Sequence, residues 1–146
     1  MKFDNDTLRT AVQLYLENRE LAIQQYGHIG TWNVSNVTDM SYVFRDAETF
    51  NQDIGNWDVS NVTNISCMFY NAKNFNQDIN NWDINNITKI DRMFYNTLNF
   101  KQNIRNLPNN TEQSTILTRV IGYCNQSITT LFDMFNTDGY KKMKIN

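Results

Sequence analysis

The sequence has no long apolar run: nothing in its 146 residues approaches the roughly twenty consecutive apolar residues a membrane-spanning helix requires. It holds one proline, five glycines, two cysteines and one histidine. Five glycines leave no room for a Gly-rich phosphate loop. Cys67 and Cys124 stand far apart and at non-equivalent places of the pattern described below, which excludes a disulfide framework and zinc spacing. His28 has no Ser or Cys partner that would make a nucleophile and base. Asp138-Gly139 lacks the ligand spacing and closing Glu of a calcium loop. The net charge of -2 and the pI of about 5.3 exclude the basic footprint of a nucleic-acid binder. Lys141, Lys142 and Lys144 are too few to change that. The expectation is a protein without cofactor, metal or catalytic residues, and so not an enzyme.

What the sequence does have is repetition. Trp32, Trp57 and Trp82 lie 25 residues apart. Residues 32–56 read WNVSNVTDMSYVFRDAETFNQDIGN, and 57–81 and 82–106 repeat them with few changes. A fixed period of 20–30 residues marks units that cannot bury an apolar face alone and stack to share a core. The chain holds 24 asparagines, costly inside helices and strands but suited to turns, caps and amide ladders between stacked corners.

In the middle coil Val62, Ile65, Met68, Phe69 and Ala72 are spaced like one face of a helix. Val37, Met40, Val43, Phe44 and Ala47 match them in the first coil, and Ile87, Ile90, Met93, Phe94 and Thr97 in the third. This predicts a helix, or a 3₁₀-like turn, of about ten residues per coil, with Ser60 or Asn61 as N-cap. The stretch NQDINNW predicts a short strand, centred on Ile54, Ile79 and Ile104, with these strands stacked in parallel. The expected fold class is an α/β repeat solenoid of leucine-rich-repeat-like coils, each a short parallel strand plus a short helix, with an N-terminal helical cap. Residues 1–27 would form that cap, one helix starting at Asp6 and carrying Leu8, Ala11, Val12, Tyr15 and Leu16, another running from Glu20 to Tyr26 before Gly27. An extra strand at Ile29 and three repeats fill 28–106. A shortened repeat and C-terminal cap fill 107–146, with a last helix at about 127–136.

The consensus W-[DN]-V-S-N-V-T-[DN]-[MI]-S-x-[VM]-F-x-x-A-x-x-F-N-Q-D-I resembles the BspA-like leucine-rich-repeat surface proteins, whose repeat is also known from mycoplasma lipoproteins and from giant DNA viruses. The lead-in LRTAVQLYLENRELAIQQYGHIGTWNVSNVTDM looks like that family's N-terminal cap. The resemblance implies a stacked-repeat fold, binding or adhesion roles in some members, and no catalytic residues. The N-terminal MKFDNDTLRT lacks a charged-then-apolar secretory pattern, which points to a virion or host cytoplasm if viral, and to the cell surface if an exported bacterial member.

Positions identical in every coil are expected to hold the stack together: Gln52, Gln77 and Gln102; Asn56, Asn81 and Asn106; Thr38, Thr63 and Thr88. Function is expected where coils differ. One such position carries Arg45, Tyr70 and Tyr95, another Tyr42, Cys67 and Arg92, and helical geometry points both away from the apolar stripe. Exposed Tyr and Arg are common interface anchors. His28, Asp53, Asp78 and Asn103 would form one row on the strand face, most simply solvated and otherwise suited to a cation or a pH response. The eight Asn-x-Ser/Thr matches follow mostly from the repeated NVT at an expected helix start and are read as a by-product of capping chemistry. The functional expectation is a non-catalytic protein–protein interaction or adhesion module with a protein partner. The alternatives are a structural virion-associated component of a large DNA virus or a glycan-binding module.

Overall fold

A computed structural model of the chain describes residues 1–102. The expected features built on Asn103, Ile104, Asn106 and residues 107–146, including the last helix, lie outside the described residues.

The chain begins with two helices, α1 (Asn5–Glu17) and α2 (Arg19–Tyr26). The cap of α1 is Asp4 rather than Asp6: the Asp4 carboxylate accepts from the Thr7 N–H at 2.9 Å, and the Thr7 hydroxyl accepts from the Asp4 N–H. Asn18 ends α1, donating its N–H to the Leu14 carbonyl, and starts α2, its side chain accepting from the Leu21 N–H. Gly27 closes α2 at φ +78°, a left-handed backbone that glycine adopts without a Cβ penalty. Leu8, Ala11, Val12 and Tyr15 are buried, whereas Leu16 stays exposed. A single 3₁₀ turn, Ile29–Thr31, leads into the first repeat.

Beyond that turn the described residues contain no further helix and no strand, only isolated parallel bridges at Asp39–Asn64 and Asn64–Lys89 between coils and Lys2–Asn33 near the N-terminus. The chain is therefore not an α/β repeat solenoid with parallel strands, and the strand-plus-helix coil of leucine-rich repeats is absent among the described residues.

The helix expected in each coil is replaced by linked turns. The N–H groups of Val37, Val43, Arg45, Ala47 and Phe50 each donate to the carbonyl three residues back. Tyr42 and Asp46 take positive φ, as do their equivalents Cys67, Asn71, Arg92 and Asn96, and such residues cannot continue a right-handed helix. The N–H groups between these turns point along the stack instead. Those of Met40, Tyr42, Phe44 and Asp46 donate to the carbonyls of Asn64, Ser66, Met68 and Tyr70. Those of Ile65, Cys67, Phe69 and Asn71 donate in turn to Lys89, Asp91, Met93 and Tyr95.

The expected strand at Ile54 and Ile79 fails because side chains take its backbone groups first. The Asp53 and Asp78 carboxylates accept from the N–H of Gly55 and Asn80. The Trp57 and Trp82 N–H groups close turns onto the carbonyls of Ile54 and Ile79. The Asn51 and Asn76 amide oxygens accept from the Asn76 and Lys101 N–H groups.

The core is a set of side-chain columns in 25-residue register. Phe44, Phe69 and Phe94 stack with centroids 5.5 and 5.6 Å apart, and Phe50, Phe75 and Phe100 stack beside them at 6.0 and 5.9 Å. The indole N–H groups of Trp57 and Trp82 reach back to the Ile29 and Ile54 carbonyls at 2.8 and 3.1 Å. Thr97 replaces the alanine of the other coils and donates its hydroxyl to the Phe69 carbonyl at 2.7 Å, so its polar atom is satisfied in the core. At the first coil the cap supplies what a preceding coil would. Phe3, Tyr15 and Tyr26 pack on Trp32, and the Asn5 amide oxygen accepts from the N–H groups of Thr38 and Asp39.

Candidate interaction surface

Many polar side chains of the repeats are already engaged between coils. The Thr63 and Thr88 hydroxyls donate to the Thr38 and Thr63 carbonyls. The Gln77 and Gln102 amides donate to Asn51 and Asn76, while Gln52 accepts from Arg19 of the cap. Asn61 and Asn86 donate to the Ser35 and Ser60 carbonyls. Asn71 and Asn96 extend a ladder from Asp46, each link 2.7 Å long.

The varying positions form a different kind of row. The Arg45 guanidinium lies 5.6 Å from the Tyr42 ring centroid and 5.3 Å from that of Tyr70. Tyr70 stacks on Tyr95 at 4.7 Å with the rings 14° apart. Tyr42, Arg45, Tyr70 and Tyr95 thus make one continuous surface across three coils. Cation–π contacts at exposed sites contribute about 0.5–1 kcal/mol each. Asp46 adds an exposed ion pair to Arg45 at 3.2 Å, which is worth little energetically. Arg92 is exposed at the third-coil equivalent of Tyr42.

These side chains point outward because of the turn, not because of a helix face. Tyr42, Cys67 and Arg92 hold φ of 62°, 55° and 54° at the third residue of a turn. Asp46, Asn71 and Asn96 tolerate this conformation; Tyr, Cys and Arg do so only at a cost. Strained backbone persists where its surroundings over-determine it, and it clusters at functional sites. Cys67→Gly is therefore expected to stabilise the chain. It removes about 1–2 kcal/mol of left-handed strain, partly offset by about 0.5–1 kcal/mol of added chain entropy. A raised urea midpoint with an unchanged slope is the expected record.

His28, Asp53 and Asp78 are exposed, and each serves a local turn. The His28 carbonyl accepts from the Thr31 N–H and hydroxyl, and the two carboxylates bind the amides two residues on. Among the described residues no group of three His, Cys, Asp or Glu side chains is placed to hold a metal ion.

Three other aspartates have pKa values held below the ordinary 3.8. For Asp39, burial pushes upward but is outweighed by hydrogen bonds from the Ser41 hydroxyl and N–H and the Asn64 amide, and by the Arg9 charge. Asp58 is lowered by the Ser60 hydroxyl and N–H, and Asp4 by the Thr7 N–H and hydroxyl. A carboxylate with a depressed folded pKa contributes stability that is fully present above its unfolded value and lost as pH falls through the folded one. Denaturant midpoints should accordingly fall below about pH 4. Asp39→Asn together with Asp58→Asn should flatten that fall.

Sequence reasoning missed Arg9. Its guanidinium donates to the carbonyls of Ser41 and Asp39 and pairs with the Asp39 carboxylate at 3.1 Å. The available signal was Asn5 and Arg9, four residues apart on one face of α1 and both polar beside the first coil. Among the described residues no helix is long and apolar enough to cross a membrane.

A family model described as "Mycoplasma protein of unknown function, DUF285" matches residues 13–131. The chain belongs to this family. No curated protein and no solved structure matches it. The matched range takes in α2, all three tryptophans and the whole Tyr–Arg row.

Proposed function

We propose that the chain is a non-catalytic interaction or adhesion module whose partner is a protein, and that Tyr42, Arg45, Tyr70, Arg92 and Tyr95 form its contact surface. The observation that carries this reading is the ordered row itself: an arginine set between two tyrosine rings, continued by a stacked tyrosine pair, at positions where the coils differ. Side chains already fixed in place lose little entropy on binding, and Tyr and Arg dominate binding energy at protein interfaces. The likeness of the repeat consensus to BspA-like surface proteins supports an adhesive role. Glycan binding is weaker, because sugars stack on open ring faces and Tyr70 and Tyr95 cover one another.

The test uses the full chain as immobilised bait beside a triple variant, Arg45→Ala, Tyr70→Ala, Tyr95→Ala. The reading expects a stoichiometric protein retained by the parent and at least tenfold depleted on the variant, with the two melting at similar temperatures. Equal retention by both would remove the row from the interface. A glycan array hit that the triple variant abolishes would replace the protein partner with a carbohydrate.

A further inference from the structure

Four columns of hydrogen-bonded peptide units run through the three coils. The Met40 N–H donates to the Asn64 carbonyl, and the N–H of that same peptide unit, on Ile65, donates to Lys89. Three more columns start at Tyr42, Phe44 and Asp46. All four point their N–H groups away from the cap, so their carbonyl ends emerge at the first coil, on Asp39, Ser41, Val43 and Arg45. Aligned peptide dipoles leave partial negative charge at such an end. Opposed bonds from the Thr63, Thr88, Asn74 and Asn99 N–H groups offset part of the field, but not the local carbonyls.

Arg9 covers the first two of these carbonyls, Asp39 and Ser41. No donor among the described residues reaches the other two, on Val43 and Arg45. Beside the first of these, Val43, lies a groove of about 310 Å³ lined by Arg9, Gln13, Leu16, Glu17, Tyr42 and Val43. Leu16 and Tyr42 are 43% and 50% exposed. The positive charge of Arg9 is matched by Asp39 at 3.1 Å and that of Arg45 by Asp46 at 3.2 Å. Among the described residues the Glu17 carboxylate meets only the neutral Gln13 amide, at 2.9 Å.

We propose that this groove receives an arginine side chain of a protein partner. The guanidinium donates to the Val43 and Arg45 carbonyls as Arg9 does to their neighbours, its stem lies on Leu16 and Tyr42, and Glu17 balances its charge. The edge selects this chemistry because its two carbonyls are acceptors without a donor among the described residues: the nearby N–H groups of Val43, Phe44 and Arg45 are spent on Met40, Met68 and Tyr42, and the Arg9 guanidinium is already held by Asp39 and Ser41. An added β-strand would leave its own carbonyls unpaired, whereas guanidinium carries donors and no acceptor. Two acceptors two residues apart suit its planar fork better than a lysine ammonium. The proposal shares with the function above Tyr42 and the protein nature of the partner, and its test needs no partner.

The isotope-labelled chain is titrated with blocked arginine amide, blocked lysine amide and blocked citrulline amide, and followed by NMR. Saturable shifts are expected at the Val43 and Arg45 carbonyls, the Phe44 and Asp46 amides, and Gln13 and Glu17. Citrulline, which keeps the shape without the charge, should bind roughly fivefold more weakly. Glu17→Gln should weaken arginine about threefold. Tyr70→Ala with Tyr95→Ala should leave it unchanged, so that failure here is separate from failure of the Tyr–Arg row. Shifts centred on Tyr70 and Tyr95, equal binding of citrulline, or no saturable change at 43–46 would each overturn the proposal.

Discussion

Phe69→Ala is expected to cost about 4 kcal/mol, a large share of the roughly 5–15 kcal/mol that keeps a domain folded. Phe69 is fully buried at the centre of the stack. Its ring lies 5.5 Å from Phe44, 5.6 Å from Phe94 and 3.9 Å from Phe75, nearly parallel to all three. Removing it takes contacts from the coil above, the coil below and its own coil together. The cavity cannot collapse easily, because the backbone on either side is held by the Phe44 N–H to Met68 and Phe69 N–H to Met93 hydrogen bonds. Phe50→Ala, in the first coil, has its ring partners in its own coil and the next among the described residues, Phe44 and Phe75, and should cost less. Equilibrium urea unfolding of both variants checks the order.

The second large effect concerns Gly55. A Cβ there would sit 2.6 Å from the Asp78 carbonyl oxygen and 3.3 Å from an Asp53 carboxylate oxygen. The close atom is backbone of the next coil, so relief requires the coils to separate. Gly55→Ala is expected to destabilise by about 3 kcal/mol, the upper part of the range for overpacking. Gly30 faces the Asp53 carbonyl at the same 2.6 Å and should respond alike. Neither glycine needs a positive φ; what excludes a side chain is the approach of the neighbouring coil. An effect below about 0.5 kcal/mol at both sites would mean that the coils are not packed this closely.

The register and the inward set were legible in the sequence. Val37, Met40, Val43, Phe44, Ala47, Phe50, Ile54 and Trp57 are all buried, as the repeated apolar pattern implies. The backbone carrying them was misread, for two physical reasons. Apolar residues every three positions suit a helical face, but equally a run of turns that each close on the third residue back. The discriminating signal was the Asp46, Asn71, Asn96 series, residue types that tolerate left-handed backbone, and it was masked by Tyr42, Cys67 and Arg92, which do not advertise it. The strand at Ile54 and Ile79 was inferred from the extended NQDINNW stretch, and Asp53 and Asp78 were weighed as a surface row when their carboxylates were closing turns.

The candidate surface was partly legible. Tyr42, Arg45, Tyr70 and Tyr95 were singled out because the coils differ there, and they do touch. His28, Asp53 and Asp78 were grouped by repeat position, but each turned out to serve its own turn. The acceptor edge beside α1 was invisible to sequence reasoning, since backbone carbonyls carry no letter and Arg9 lies outside the repeats.

Through-hydrogen-bond scalar couplings measured by NMR across the second coil test the stack most directly. The amide nitrogens of Ile65, Cys67, Phe69 and Asn71 should couple to the carbonyl carbons of Lys89, Asp91, Met93 and Tyr95, each 24 residues ahead. Couplings from these nitrogens to carbonyls four residues behind would show a helix in each coil, and the columns, the outward row and the acceptor edge would all lose their basis.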